Sequence, residues 1–183
     1  FGRQCIAPLL IELAQEHPGL ELEMSFSDRI VDLVEEGFDM AVRNGNLADS
    51  AVLVARRLGV HRMVLCAAPD YLIKNGQPQS VDDLRQYTAI NYTRAGRVLP
   101  WQLMDYDGTS RTFIPRSSLN MDDLQAICDA ALAGHGIAWL PCWMVIKEIH
   151  QGNLVPLFKQ APDVRFDVHA VWQQTPHLPL RVR

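Results

Sequence analysis

The interval between apolar residues changes repeatedly within the first forty-five positions, and that pattern restricts the fold more than any other feature of the chain. Ile6, Leu9, Leu10 and Leu13 recur at three- and four-residue spacing, the period of one helix face, until His17-Pro18-Gly19 stops it. Leu20, Leu22, Met24 and Phe26 then alternate with Glu21, Glu23 and Ser25, which predicts a strand. Ser27-Asp28 offers an N-cap for a short helix carrying Ile30, Leu33 and Val34, with Gly37 just past its end. Phe38 to Arg43 reads as a second strand and Asn44-Gly45-Asn46 as a turn. The order α-β-α-β is the rhythm of a parallel sheet with crossover helices. A strand is expected before Phe1, so the sequence is expected to start after it.

The same alternation continues. Val52 to Ala67 is β-rich with an expected break near Gly59, and Pro69 to Lys74 is a helix ended by Gly76-Gln77-Pro78. Val81 to Leu84 reads as a short helical turn and Ala89 to Tyr92 as a short strand. Trp101–Met104 and Arg111–Ile114 flank Asp107-Gly108, a strong hairpin signal. Asn120 is expected to cap an amphipathic helix with Leu124, Ile127, Cys128, Ala131 and Leu132 on one face, closed by Gly134 and Gly136. Ile137 to Leu140 is a buried strand, and Pro141 is expected at the first position of a helix running to His150. Leu154–Phe158 and Phe166–Trp172 are further strands, and Leu178–Arg183 looks like the beginning of a helix. Two α/β units with two β-rich passages between them predict two lobes, crossing near residues 60–68 and 164–172. A cleft between lobes is where small ligands usually bind.

Composition narrows the function. A compact chain of 183 residues buries about 70% of its unfolded surface and needs no disulfide or metal staple. A net charge of −4 and a pI of about 5.8 argue against direct binding to nucleic-acid phosphates, for which domains usually have a pI above about 9. No apolar run approaches the roughly 20 residues that span a bilayer. Cys5, Cys66, Cys128 and Cys142 lie far apart among apolar neighbours, without a C-x-x-C pair or metal-ligand spacing. They read as reduced, buried thiols, which suits a cytosolic compartment.

Catalytic signatures are missing. No G-x-S-x-G exposes a serine at a strand-to-helix turn, and no H-E-x-x-H offers two ligands on one helix face. Gly134-His135-Gly136 lies between helix and strand, the reverse of the order that aims amides at a pyrophosphate, so it reads as a helix end plus close backbone packing. His17, His61, His135, His150, His169 and His177 are scattered singly and read as surface or hydrogen-bonded residues. Asp122-Asp123 suits the positive end of a helix dipole, and Asp82-Asp83 and Glu35-Glu36 read as solvated faces. No enzyme and no cofactor is expected. The remaining candidates are loops at strand ends: Phe1-Gly2-Arg3, Ser25 to Asp28, Arg43-Asn44-Gly45, Tyr92 to Arg97 and Asn120-Met121. Backbone N–H groups at Gly2, with Arg3, Arg43, Arg94 and Arg97, suit a small molecule bearing a carboxylate.

Phe1-Gly2-Arg3 with Pro8-Leu9-Leu10, the run Phe26 to Gly45, Val54 to Leu58, Val64 to Leu72 and Ala133 to Pro141 together resemble the effector-binding domain of LysR-type transcriptional regulators, in the branch with CrgA-like members. The similarity covers essentially the whole chain in the expected order. It implies two Rossmann-like lobes joined by two crossover strands, an α/β fold like type 2 periplasmic binding proteins, with an inducer held between the lobes. The first lobe would be residues 1–66 plus 166–183 and the second residues 67–165. By motif position the effector would face Phe1, Gly2, Arg3, Ser27, Asp28, Arg43, Asn44, Tyr92 and Asn120. The resemblance further implies a cytoplasmic homodimer or homotetramer that meets promoter DNA only through an N-terminal winged helix-turn-helix not contained in this chain. No membrane partner is expected. A secreted solute-binding protein of a transport system, which shares the fold, is the alternative.

Overall fold

A computed structural model of the protein describes residues 1–27 and 31–175. The chain divides into two compact units, one built from Phe1–His61 with the segment from Phe166 onward, the other from Arg62–Arg165. Two long strands, β2 (Leu53–Ala67) and β10 (Arg165–Gln173), contain the two points at which the chain passes from one unit to the other.

In the first unit a wide helical turn over Gly2–Ile6 leads into α1 (Ala7–Glu16). The Ala7 N–H donates to the Gly2 carbonyl across this turn, and Pro8 sits in the first turn of α1, where its missing donor costs little. Helical spacing here does not mean burial: Leu9 is 61% exposed and Ile11 and Leu13 are also exposed, while Ala7 alone is buried. β1 (Ala41–Asn44) pairs antiparallel with β10, from Ala41 opposite Val171 to Asn44 opposite Val168. With Ala7, the residues Leu33, Val168, Ala170 and Val171 are the buried apolar side chains among this unit's described residues.

Four expectations for this unit need correction. Leu20–Phe26 forms no strand among the described residues; alternation provides a face, but a strand also needs a neighbour to complete its backbone ladder. The helix expected after Ser27 is, over its described part, a turn at Leu33–Gly37. Asp32 Oδ1 accepts the Val34 and Glu35 N–H groups at 2.9 and 3.1 Å, a local bond that competes with helix propagation. Gly37 closes that turn with φ of +73°. The strand placed at Phe38–Arg43 begins only at Ala41, where β10 provides a partner. The helix expected at Leu178–Arg183 lies outside the described residues. β2 also runs unbroken through Gly59, which takes no left-handed φ and therefore imposes no bend.

The second unit has a mixed sheet. β2 pairs antiparallel with β8 (Ile137–Pro141), which lies parallel to β3 (Ala89–Arg94), itself parallel to β7 (Ser117–Met121). β4 (Arg97–Val98) folds back on β3, and β9 (Val155–Pro156) pairs with the end of β2. A separate hairpin joins β5 (Trp101–Met104) to β6 (Ser110–Phe113), with Gly108 at φ +84° in its turn. One face of the sheet packs Leu65, Ala67, Ala89 and Ile137 with Tyr71 of α2 (Pro69–Asn75), Leu84 and the hairpin residues Trp101 and Leu103. The other packs Cys66, Ile90, Ala138 and Leu140 with Ile127, Cys128 and Ala131 of α3 (Leu124–Leu132) and Val145 of α4 (Cys142–His150). Each fully buried aliphatic side chain contributes about 1.5–3 kcal/mol.

Corrections here are smaller. Asn120 belongs to β7 and does not cap α3; Asp123 does, its carboxylate accepting the Ala126 N–H at 2.8 Å. Pro141 ends β8 and precedes α4 instead of opening it. The loop expected at Tyr92–Arg97 is a tight hairpin, with Ala95 and Gly96 at φ +49° and +74°, the primed turn that matches strand twist. The strand expected over Leu154–Phe158 contracts to two residues, since β2 ends at Ala67 opposite Val155.

Candidate functional site

Six of the sequence-derived site residues lie in the first unit. Gly2 is tightly placed: a β-carbon there would meet the Phe26 ring at 3.1 Å, and the Arg3 guanidinium carbon lies 5.7 Å from the centroid of the same ring. That distance is within cation–π range. Phe1 stacks on His61 with ring centroids 6.3 Å apart, and His61 stacks in turn on Phe166 at 5.7 Å. His61, read from the sequence as a surface or hydrogen-bonded residue, is half-buried in an aromatic stack. Phe1, Gly2 and Arg3 are brought together by the Gly2–Ile6 turn, beside the exposed Ser27 that follows Phe26.

Arg43 and Asn44 form a second group. Arg43, half-buried on β1, donates from Nη2 to the Val31 carbonyl at 2.7 Å and faces His169 across the β1–β10 ladder. Asn44 is exposed at the end of β1; Gly45 next to it has φ +88° and donates its N–H to the Asp167 carbonyl at 2.8 Å. Asp167 also pairs with Arg57 at 2.7 Å. Asp28 lies outside the described residues.

Tyr92 and Asn120 lie in the second unit, at the carboxyl ends of the adjacent parallel strands β3 and β7. This is the edge where α/β sheets bind ligands, because crossover helices begin there. α3 starts just after β7 and α4 just after β8. Register sets which side chains share a face. Tyr92 pairs with Met121, and both pack with Ile90 and Leu119 toward α3. Asn120 pairs instead with Asn91, so these two side chains share the opposite face.

Asn91 escaped the sequence reading. It is 2% exposed, the one buried polar residue among those described. Its Nδ2 donates to the Pro115 carbonyl at 3.3 Å, and its Oδ1 has no hydrogen-bond partner. A buried acceptor left unsatisfied costs about 1–3 kcal/mol. The sequence signal was present in Asn91 standing inside an apolar strand, but only register reveals its neighbour.

Burial pushes the Cys66 and Cys128 thiols up to about 12 and about 11, away from the reactive thiolate. Among the described residues no three His, Cys, Asp or Glu side chains cluster as a metal site. No helix among them is long and apolar enough to cross a membrane. The described site residues include cations, neutral amides and aromatic rings, groups that can hold a ligand.

The family model of the LysR substrate binding domain matches residues 1–183. The chain belongs to that family. An HTH-type transcriptional regulator of Haemophilus influenzae is 34% identical over 182 residues, covering 100% of this chain and 62% of that protein. The regulator CrgA of Neisseria meningitidis is 32% identical over 180 residues, covering 97% of this chain and 59% of that protein. The solved CrgA regulatory domain superposes with a TM-score of 0.84 at 28% identity, covering 100% of this chain and 88% of the other. Full-length AphB of Vibrio cholerae, at 24% identity and a TM-score of 0.86, covers 100% of this chain and 61% of its own and shares the fold. The chain spans about three-fifths of the length of the curated relatives it matches. LysR-family proteins are transcriptional regulators, not enzymes, and their regulatory domains are two-lobed α/β folds of the periplasmic-binding-protein type.

Proposed function

We propose that this LysR substrate-binding domain senses a small, anionic effector for a cytoplasmic transcriptional regulator. The observation that carries the reading is the family match over the full 183 residues. Its support in the molecule is chemical: the guanidinium groups of Arg3, over the Phe26 ring, and of Arg43, bonded to the Val31 carbonyl, and amide groups at Asn44 and Asn120. The effector contacts would come from Phe1, Gly2, Arg3, Ser27, Asp28, Arg43 and Asn44 in one lobe and Tyr92 and Asn120 in the other, with lobe boundaries at residues 1–66 plus 166–183 and 67–165. A ligand shifts a two-state equilibrium only by its differential affinity for the two states. Coupling to DNA heads would then amount to about 1–3 kcal/mol. Those heads would be an N-terminal winged helix-turn-helix outside this chain, carried in a homodimer or homotetramer.

A melting-temperature screen against small carboxylates tests the proposal. A ligand present at 100 times its dissociation constant stabilises the folded chain by about 2.7 kcal/mol. For a chain of this size that raises Tm by about 5–10 °C. A panel in which neutral analogues stabilise as well as the acids would remove the anionic part of the proposal. Catalytic turnover of any panel member would remove the sensing role.

A further inference from the structure

Asn91 sits where one face of the second unit's sheet changes from apolar to polar. Ala89, two residues earlier on β3, is buried in the cluster that includes Leu65 and Ile137. Asn91 follows on the same face, then Thr93, with Asn120 alongside on β7. All three side chains are neutral. The orientation of the Asn91 amide is fixed, because turning it over would point Oδ1 at the Pro115 carbonyl, which now accepts from Nδ2 at 3.3 Å. Its Oδ1 is therefore a buried acceptor without a donor, at the carboxyl edge of parallel strands.

We propose that Asn91, with Thr93 and Asn120, forms a neutral hydrogen-bonding subsite that reads a hydroxyl group of the effector. The inference rests on the effector-sensing role proposed above and adds a chemical class to it: a hydroxy acid, not a plain carboxylic acid. A carboxylate has no proton to give Oδ1, whereas a hydroxyl donates to Oδ1 and can accept from the Asn120 amide or the Thr93 hydroxyl. A site built around a hydroxyl rejects the analogue lacking it, since the buried acceptor is then left unpaired.

Matched pairs test this by calorimetry: lactate against propionate, malate against succinate, and 3-hydroxybenzoate against benzoate. The expected result is a pair in which the hydroxy acid binds at least tenfold tighter to the wild-type chain. Asn91→Leu should bring that pair within threefold. A readout that needs no substitution is the side-chain amide resonance of Asn91, which should shift with the hydroxy acid and stay still with its partner. Equal binding within every pair, a preference that survives in Asn91→Leu, or an unmoved Asn91 resonance overturns the subsite and leaves Oδ1 to an internal water only. Absence of binding in all three pairs instead overturns the carboxylate-sensing reading on which it rests.

Discussion

Gly136 lies so close to Thr88 that a β-carbon built on it would stand 2.7 Å from the Thr88 carbonyl oxygen. That same oxygen accepts the Ile137 N–H at 2.9 Å and the Tyr71 hydroxyl at 3.2 Å, while the Thr88 N–H donates to the Tyr71 hydroxyl at 2.9 Å. The chain thus enters β8 against a backbone that is held from two sides. Gly136→Ala must push backbone, not a flexible side chain. It should destabilise the chain by about 1–3 kcal/mol, the usual cost of overpacking. Chemical denaturation measures it; a change below about 0.5 kcal/mol would mean that the Thr88 turn yields freely.

A single cap distinguishes Asp123 from Asn120. Asp123→Ala removes the carboxylate that accepts the Ala126 N–H and should cost about 1 kcal/mol. Asn120→Ala, three residues earlier, should leave stability nearly unchanged because its side chain is exposed on a strand. Equal losses from the two substitutions would restore Asn120 as the helix cap.

That pair also shows how far the sequence reaches. Asn120 and Asp123 both have capping side chains, and composition does not rank them; β7 absorbs Asn120 because Asn91 lies opposite it. Helix α2 and the hairpin at Asp107-Gly108 are legible because local chemistry decides them: Pro69 opens the helix and Gly76 at +80° closes it, and Gly108 at +84° makes the hairpin turn. The Leu20–Phe26 alternation misled because a strand is a property of two segments. Among the site residues, Gly2 and Arg3 could be named from motif, but not their shared use of the Phe26 ring. Asn91 needed the register of β3 and β7, which no local pattern encodes.

Acid should loosen the region before the Asp82–Gln86 turn. Asp83 accepts the Gln79 and Ser80 N–H groups at 2.8 and 3.0 Å, and these backbone bonds, Gln79 first, hold its carboxyl below the ordinary carboxylate range. A depressed folded pKa gives stability that is fully present above the unfolded value and lost as pH falls through the folded one. Melting temperatures of the wild type and Asp83→Asn should therefore converge as the pH drops below about 4. A constant gap from pH 7 to pH 2.5 would mean that the carboxylate charge is irrelevant to this turn.

Arg43 can be tested through its two roles. Its guanidinium already donates to the Val31 carbonyl, so Arg43→Ala loses both that anchor and the positive charge. Affinity for an anionic effector, once one is found by the melting screen, should fall more than tenfold, or about 1.4 kcal/mol. Arg43→Lys keeps the charge but loses the planar fork, and should recover only part of the affinity. Calorimetry on both variants separates the roles: unchanged affinity in Arg43→Ala would confine this side chain to holding the turn at Val31.

The four thiols should divide by burial. Cys66 and Cys128 are buried within one cluster, and desolvation, ahead of their neighbours' charges, pushes them up to about 12 and about 11. Both are neutral at pH 8 and out of reach of a water-borne disulfide reagent. Cys5 and Cys142 are half-buried and should react first. The two slow thiols should then react only at the rate at which the chain opens, so dilute denaturant should accelerate them and leave the fast pair nearly unaffected. The same shift acts on stability: a raised thiol pKa protects the fold below the ordinary thiol range, and that contribution is lost as pH rises toward 11 and 12. Cys66→Ala should consequently melt with a flatter dependence on pH between about 9 and 12 than the wild type. Four thiols reacting together at pH 8, without denaturant, would show that this core opens far more readily than its packing implies.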